Sequence, residues 1–106
     1  MLYIMCFNLK NGVSEEEFVN KLKELWGYLE GKVEGVGSNK IYRHHLFGAN
    51  LRTYQTHIEI KDFGTWDRFL AFIEKDAKGA RLMQENWWKL IDMDTHFDEF
   101  VREIPL

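Results

Sequence analysis

Apolar and polar positions along the chain change period several times, and each change marks an element. Residues 2–9 (LYIMCFNL) alternate, which sets Tyr3, Met5, Phe7 and Leu9 on one strand face and Ile4, Cys6 and Asn8 on the other. The turn pair Asn11-Gly12 ends that strand. The period then becomes helical, with Phe18, Leu22, Leu25, Trp26 and Leu29 falling on one stripe. Ser14 and Glu17 have the spacing of a capping box, flanked by Val13 and Phe18 as a hydrophobic staple. Glu15 and Glu16 suit the positive helix end, and the run Glu15-Glu16-Glu17 is otherwise a solvated helix start. Gly31 marks the stop.

Val33 to Phe47 reads as a second strand, entered through the Gly35/Gly37 turn region. Gly48-Ala49-Asn50 is the hairpin loop, and Arg52 to Lys61 is the return strand. Asp62 can cap a second helix carrying Phe63, Trp66, Leu70, Ile73 and Ala77 on one stripe. Gly79 is expected to break or kink it. A further helical stretch carries Ala80, Met83, Trp87, Leu90 and Ile91. Thr95 to Ile104 forms the last strand, which Pro105 ends. The order strand, helix, hairpin, helix, strand predicts an α+β domain over residues 1–106. In it a four-stranded antiparallel sheet carries both helices on one face.

That arrangement leaves the other sheet face bare, and here composition matters. Four Trp, four Tyr and eight Phe in 106 residues are more bulky apolar surface than one thin two-layer domain easily hides. A second copy packed on the bare face is the expected cover. The net charge of −3, with Lys and Arg scattered singly, lacks the basic stripe on which nucleic-acid binding depends. No apolar run approaches the ~20 residues that span a bilayer, and no leader-like segment opens the chain. One Cys cannot form an internal disulfide, so a cytoplasmic location is the default expectation.

The strand end Phe7-Asn8-Leu9-Lys10, the capped helix, and the run Ile58-Glu59-Ile60-Lys61-Asp62 leading to Trp66 resemble the dimeric α/β-barrel superfamily. The resemblance implies a ferredoxin-like βαββαβ fold that pairs into a dimeric barrel. Its members include stress-responsive barrel proteins, antibiotic-biosynthesis-type and haem-degrading monooxygenases, and rhamnose mutarotases. The mutarotases carry a catalytic His on the first helix with a Trp four residues later. Trp26 matches the Trp, and Trp87-Trp88-Lys89 is similar to their paired tryptophans, but Leu22 stands at the His position. Asn8 and Trp66 match the haem-degrading members, whose haem-ligating His has no counterpart from Asp62 to Ile91. The same element order serves RNA-recognition domains, but Arg52-Thr53-Tyr54-Gln55-Thr56-His57 is not their aromatic platform.

Candidate chemistry centres on the strand histidines. With a four-residue hairpin loop, Tyr42 falls opposite His57 and His44 opposite Gln55. All four then share one face, while Ile41, Tyr54, Ile58 and Ile60 face the helices. Tyr42, His44, Gln55 and His57, with His96, Asn8 and Arg43, are the predicted ligand-binding residues. A His–Tyr pair can exchange a proton near neutral pH. The simpler reading makes them inter-strand or dimer-contact residues, and it carries more weight because half-buried polar residues usually need no function. Cys6 is possible as a nucleophile but fits better as a small buried hydrophobe. Trp87 and Trp88, being adjacent, cannot both face inward, so one is expected at a pocket mouth or subunit contact. No metal and no cofactor is expected, since close-spaced ligand pairs and a Gly-rich phosphate cradle are both missing.

Two functions follow. One is a binding module that holds a small apolar or acyl-like molecule in a lumen between sheet and helices or between subunits. Ile4, Leu46 and Phe100 would supply apolar wall, and a His or Arg43 would orient a carboxylate or keto oxygen. The other is a cofactor-free enzyme, monooxygenase- or isomerase-like, using a strand histidine.

Overall fold

The computed structural model describes residues 1–45 and 52–106. Their order is β1 (Leu2–Leu9), α1 (Glu15–Leu29), β2 (Val36–Arg43), β3 (Tyr54–Ile60), α2 (Phe63–Lys75), α3 (Ala77–Met83) and β4 (Ile91–Val101). A π-helical turn, Gln84–Trp88, continues α3. The strands form one antiparallel sheet in the order β2-β3-β1-β4. This is the expected ferredoxin-like arrangement. The expected loop Gly48-Ala49-Asn50 and the strand end at Leu46 and Phe47 lie outside the described residues.

Helix boundaries follow from side-chain caps. Ser14 Oγ accepts the Glu17 N–H at 3.0 Å, and Asp62 Oδ1 accepts the Thr65 N–H at 2.7 Å. Gly31, at φ +77°, takes the left-handed conformation that follows α1. Gly79 does not break the second helix. The interruption falls at Asp76, whose carboxylate caps α3 by accepting the Gly79 N–H at 2.8 Å and the Tyr28 hydroxyl at 2.5 Å. Gly79 serves instead as the close neighbour, since a Cβ there would lie 3.1 Å from Asp76 Oδ2.

The last strand also differs from expectation. Leu90 and Ile91 leave the helix, and β4 starts at Ile91, where Leu9 pairs with Ile91 and Asn8 with Asp92. The register then shifts between Cys6 and Asn8. Asp92, Met93 and Asp94, which the strand expected from Thr95 leaves out, belong to β4 and with Thr95 form the bulge. Thr95 Oγ1 donates to Asp92 O at 2.6 Å and accepts the Asn8 N–H at 2.9 Å.

The core lies between the sheet and the helices. Tyr3, Met5 and Phe7 of β1, and Tyr54, Ile58 and Ile60 of β3, meet Phe18, Leu22, Leu25 and Leu29 of α1 and Phe69 of α2. Trp87 and Ile91 close it. Glu15 is more than a solvated helix start: it accepts from Arg43 Nε at 2.7 Å and from the Tyr54 hydroxyl at 3.0 Å, tying α1 to β2 and β3.

These polar ties give a pH dependence. Arg43 and Tyr54 hold the Glu15 carboxyl below its ordinary value, the Thr65 backbone and hydroxyl do so for Asp62, and Tyr28 and the Gly79 N–H for Asp76. The folded state therefore favours the ionised forms. Their contribution is complete above the unfolded carboxylate range of about 4 and is lost as pH falls below it through the depressed folded values. The urea midpoint should drop as pH is lowered through that window, less steeply in Asp76→Asn. An identical slope in the variant would remove this cap from the account.

Candidate functional site

A cavity of about 90 Å³ lies between the helix-facing side of the sheet and the helices. Tyr3 and Met5 of β1, Asn39 of β2, and Thr56 and Ile58 of β3 form its floor. Leu22, Leu25 and Trp26 of α1 form one wall, and Trp66, Phe69, Leu70 and Ile73 of α2 another. Met83, Trp87 and Trp88 complete it, so all four tryptophans of the chain line one cavity. The π turn, in which the Lys89 N–H reaches Gln84 O at 3.1 Å, delivers the last two. Trp87 is buried, while Trp88 and Leu70 stand at the rim, 36% and 47% exposed. The expectation that the tryptophan pair divides between core and pocket mouth describes them well.

None of the lining residues is charged. Three carry buried polar atoms with no hydrogen-bond partner among the described residues: Trp26 Nε1, Asn39 Oδ1 and Thr56 Oγ1. Each such group costs about 1–3 kcal/mol, against a total domain stability of only about 5–15 kcal/mol. These three atoms are themselves buried, so the surface that the cavity presents is apolar.

Tyr3 stands at the cavity's edge with its hydroxyl already committed, donating to Asp98 Oδ2 at 2.7 Å. Burial, reinforced by that carboxylate, pushes its pKa far up, so the phenol keeps its proton. Leu22, Trp26 and Asn39 also line a larger groove between α1 and β2 that runs to Glu15, Arg43 and Tyr54. These three side chains are therefore a partition between cavity and groove.

The predicted site residues sit elsewhere. Tyr42 pairs with Gln55 and Lys40 with His57, two residues away from the expected register. A shift of two preserves the faces, so Tyr42, Gln55 and His57 do share one side, and the Tyr42 and His57 rings lie 4.6 Å apart. That side is the bare face. Two rows cross it, Tyr42-Gln55-Cys6-Phe97 and Lys40-His57-Ile4-Glu99. His57 Nε2 is buried there with no hydrogen-bond partner among the described residues, and burial followed by the Lys40 charge lowers its pKa. His44 lies beyond β2 with Nδ1 2.7 Å from Arg52 O. Asn8 Oδ1 accepts the Thr53 N–H at 2.7 Å, and Arg43 is held by Glu15 on the helix-facing side. His96 Nδ1 is bonded to Met93 O at 2.6 Å, with Nε2 3.9 Å from Asp98. Phe100 packs on Tyr3 and Trp66, on the helix side of the sheet. The structure thus gathers three of the seven and disperses Asn8, Arg43, His44 and His96.

The sequence reading passed over Asn39 and Thr56. The available signal was a polar residue alternating in phase with core positions: Thr56 with Tyr54 and Ile58, and Asn39 with Ile41. Among the described residues, no three His, Cys, Asp or Glu side chains come together as a metal site would need, and no helix is long and apolar enough to cross a membrane.

No family model matches the chain, and no curated protein matches it in sequence. Solved structures do match in shape. A DABB-family protein with a ferredoxin-like fold from Mesorhizobium loti aligns at TM-score 0.66 and 14% identity, over 99% of this chain and 95% of that one. A dimeric ferredoxin-like protein of unknown function from Jannaschia sp. aligns at 0.65 and 10% identity, over 94% and 97%. Hydroxynitrile lyase from Passiflora edulis aligns at 0.63 and 13% identity, over 99% and 95%. The chain therefore has the ferredoxin-like fold.

Proposed function

We propose that this chain binds a small, mostly apolar molecule in the cavity between its sheet and its helices, as a cytoplasmic homodimer joined through the bare sheet face. The observation that carries the ligand is the cavity itself: an apolar space lined by four tryptophans and by no charged side chain. Its volume of about 90 Å³ favours a single ring or a short chain, and an elongated acyl group would have to leave past Leu70 and Trp88. The pairing is supported by the partly apolar bare face, by His57 Nε2 unpartnered on it, and by structural neighbours described as dimeric. One cysteine, Cys6, buried in β1, agrees with a reducing compartment.

A second reading, a cofactor-free enzyme, is favoured by one neighbour of the same fold being a hydroxynitrile lyase. In that reading a strand histidine, His57, would act from the bare face and so between subunits, whereas the cavity offers Tyr3 held by Asp98.

The binding reading is tested by titrating toluene and short straight-chain alcohols while following tryptophan emission and melting temperature. A saturable response is expected in the wild type. It should vanish in Ile73→Phe, which fills the cavity from α2. No saturable response to any compact apolar probe would sink the proposal.

A further inference from the structure

We infer that the groove between α1 and β2 is an outer compartment of the same site, opened by rotation of Trp26, and that the occupant is a straight-chain molecule with an uncharged polar end. This rests on the cavity being a ligand site. The groove measures about 610 Å³ and shares Leu22, Trp26 and Asn39 with the cavity of about 90 Å³. Sites for small organic ligands run from about 300 to 1,000 Å³, so the cavity alone is undersized, whereas cavity and groove together are not. Trp26 is the movable part of the partition. It is only partly buried, and its indole N–H has no hydrogen-bond partner among the described residues. What holds the closed position is ring packing on Phe69, with centroids 5.9 Å apart. Turning the ring into the groove gives the N–H to water, which offsets part of the lost packing. α1 and β2 need not move.

Gly27 supplies independent support. It follows Trp26 in α1 and lines the groove. Glycine is a poor residue inside a helix, and nothing local asks for one here. A Cβ at Gly27 would meet nothing within 4 Å, and its φ is not positive. What the missing side chain preserves is the width of the groove. Val19 and Ile41 add apolar wall, while Glu15 and Glu30 balance Lys23 and Arg43 in charge. That balance selects neither an anion nor a cation, and Arg43 is already paired with Glu15. The gap that one side chain vacates between Leu22 and Asn39 passes a chain and stops a branched body. The apolar end thus lies against Phe69 and Ile73, the chain crosses at Trp26, and the polar end stays in water along the groove.

The test is the binding of straight-chain alcohols from butanol to decanol to the purified protein, with toluene as the compact probe. Wild-type affinity should keep rising through octanol, about fourfold per added methylene. Gly27→Leu, a better helix residue that fills the groove, should raise the melting temperature and leave toluene binding intact. It should also stop the gain at the chain length the cavity alone holds, and Gly27→Trp repeats the test with a larger group. Leu70→Trp narrows the opposite rim and should leave the series unchanged. The emission of Trp26, taken as the difference between wild type and Trp26→Phe, should move to the red with octanol and not with toluene. No gain with chain length in the wild type, a gain that survives both Gly27 variants, one lost only in Leu70→Trp, or an unmoved Trp26 emission would overturn the inference while toluene still binds. Failure of every probe, toluene included, would instead overturn the binding proposal beneath it.

Discussion

Phe7→Ala is expected to remove about 3–5 kcal/mol of unfolding free energy. Phe7 is fully buried at the centre of an aromatic cluster, with ring centroids 5.5 Å from Phe18, 5.3 Å from Trp87 and 6.1 Å from Tyr54. Phe18 in turn touches both Trp87 and Tyr54 at 5.8 Å, so four rings from β1, α1, β3 and the π turn share one junction. Truncating the central ring loses its transfer free energy and leaves a hole that strands on either side of β1 cannot close. A domain of this size loses several degrees of melting temperature per kcal/mol, giving a fall on the order of 20 °C. Denaturant unfolding of the purified variant measures it directly. A loss below about 1 kcal/mol would mean that the core relaxes freely around this ring.

Tyr42→Glu is expected to turn a dimer into a monomer without unfolding it. Tyr42 is 44% exposed on the bare face, so the substitution costs the isolated subunit little. In a two-fold pairing through that face the new carboxylate is introduced on both copies, alongside Glu59 and Glu99 of the same face. Desolvating and crowding those charges costs about 3 kcal/mol or more, which raises the dissociation constant at least about a hundredfold. Sedimentation at micromolar concentration should show a dimer for the wild type and a monomer for the variant, with unchanged circular dichroism. A monomeric wild type, or a variant that stays dimeric, would exclude the bare face as the contact.

What was legible in the sequence follows from how local each signal is. The caps at Ser14 and Asp62 need only neighbouring residues, and both form as expected. Strand faces depend on period two alone, so Tyr42, Gln55 and His57 share a side even though their register is displaced by two residues. The break at Asp76 was hidden because a helix-breaking glycine lay three residues further on, and the Tyr28 hydroxyl that helps to hold Asp76 comes from a distant helix. The cavity was least legible of all. Its walls are the same apolar stripes that build a solid core, and emptiness between stripes leaves no mark in composition or spacing. Asn39 and Thr56 resemble ordinary strand residues until the helices are placed over them. A search for charge and histidine leads to the sheet's opposite face.

The π turn at Gln84–Trp88 gives the cavity a particular kind of inheritance. Such a turn holds one residue more than the helical turn it replaces, and each residue of an α-helix advances about 100° around the axis. Loss of a single codon within it would restore regular winding and swing Trp87 and Trp88 relative to Met83, while the sheet kept every one of its pairings. A lineage carrying this fold can thus reshape this cavity by a step that rewrites a wall and spares the foundation.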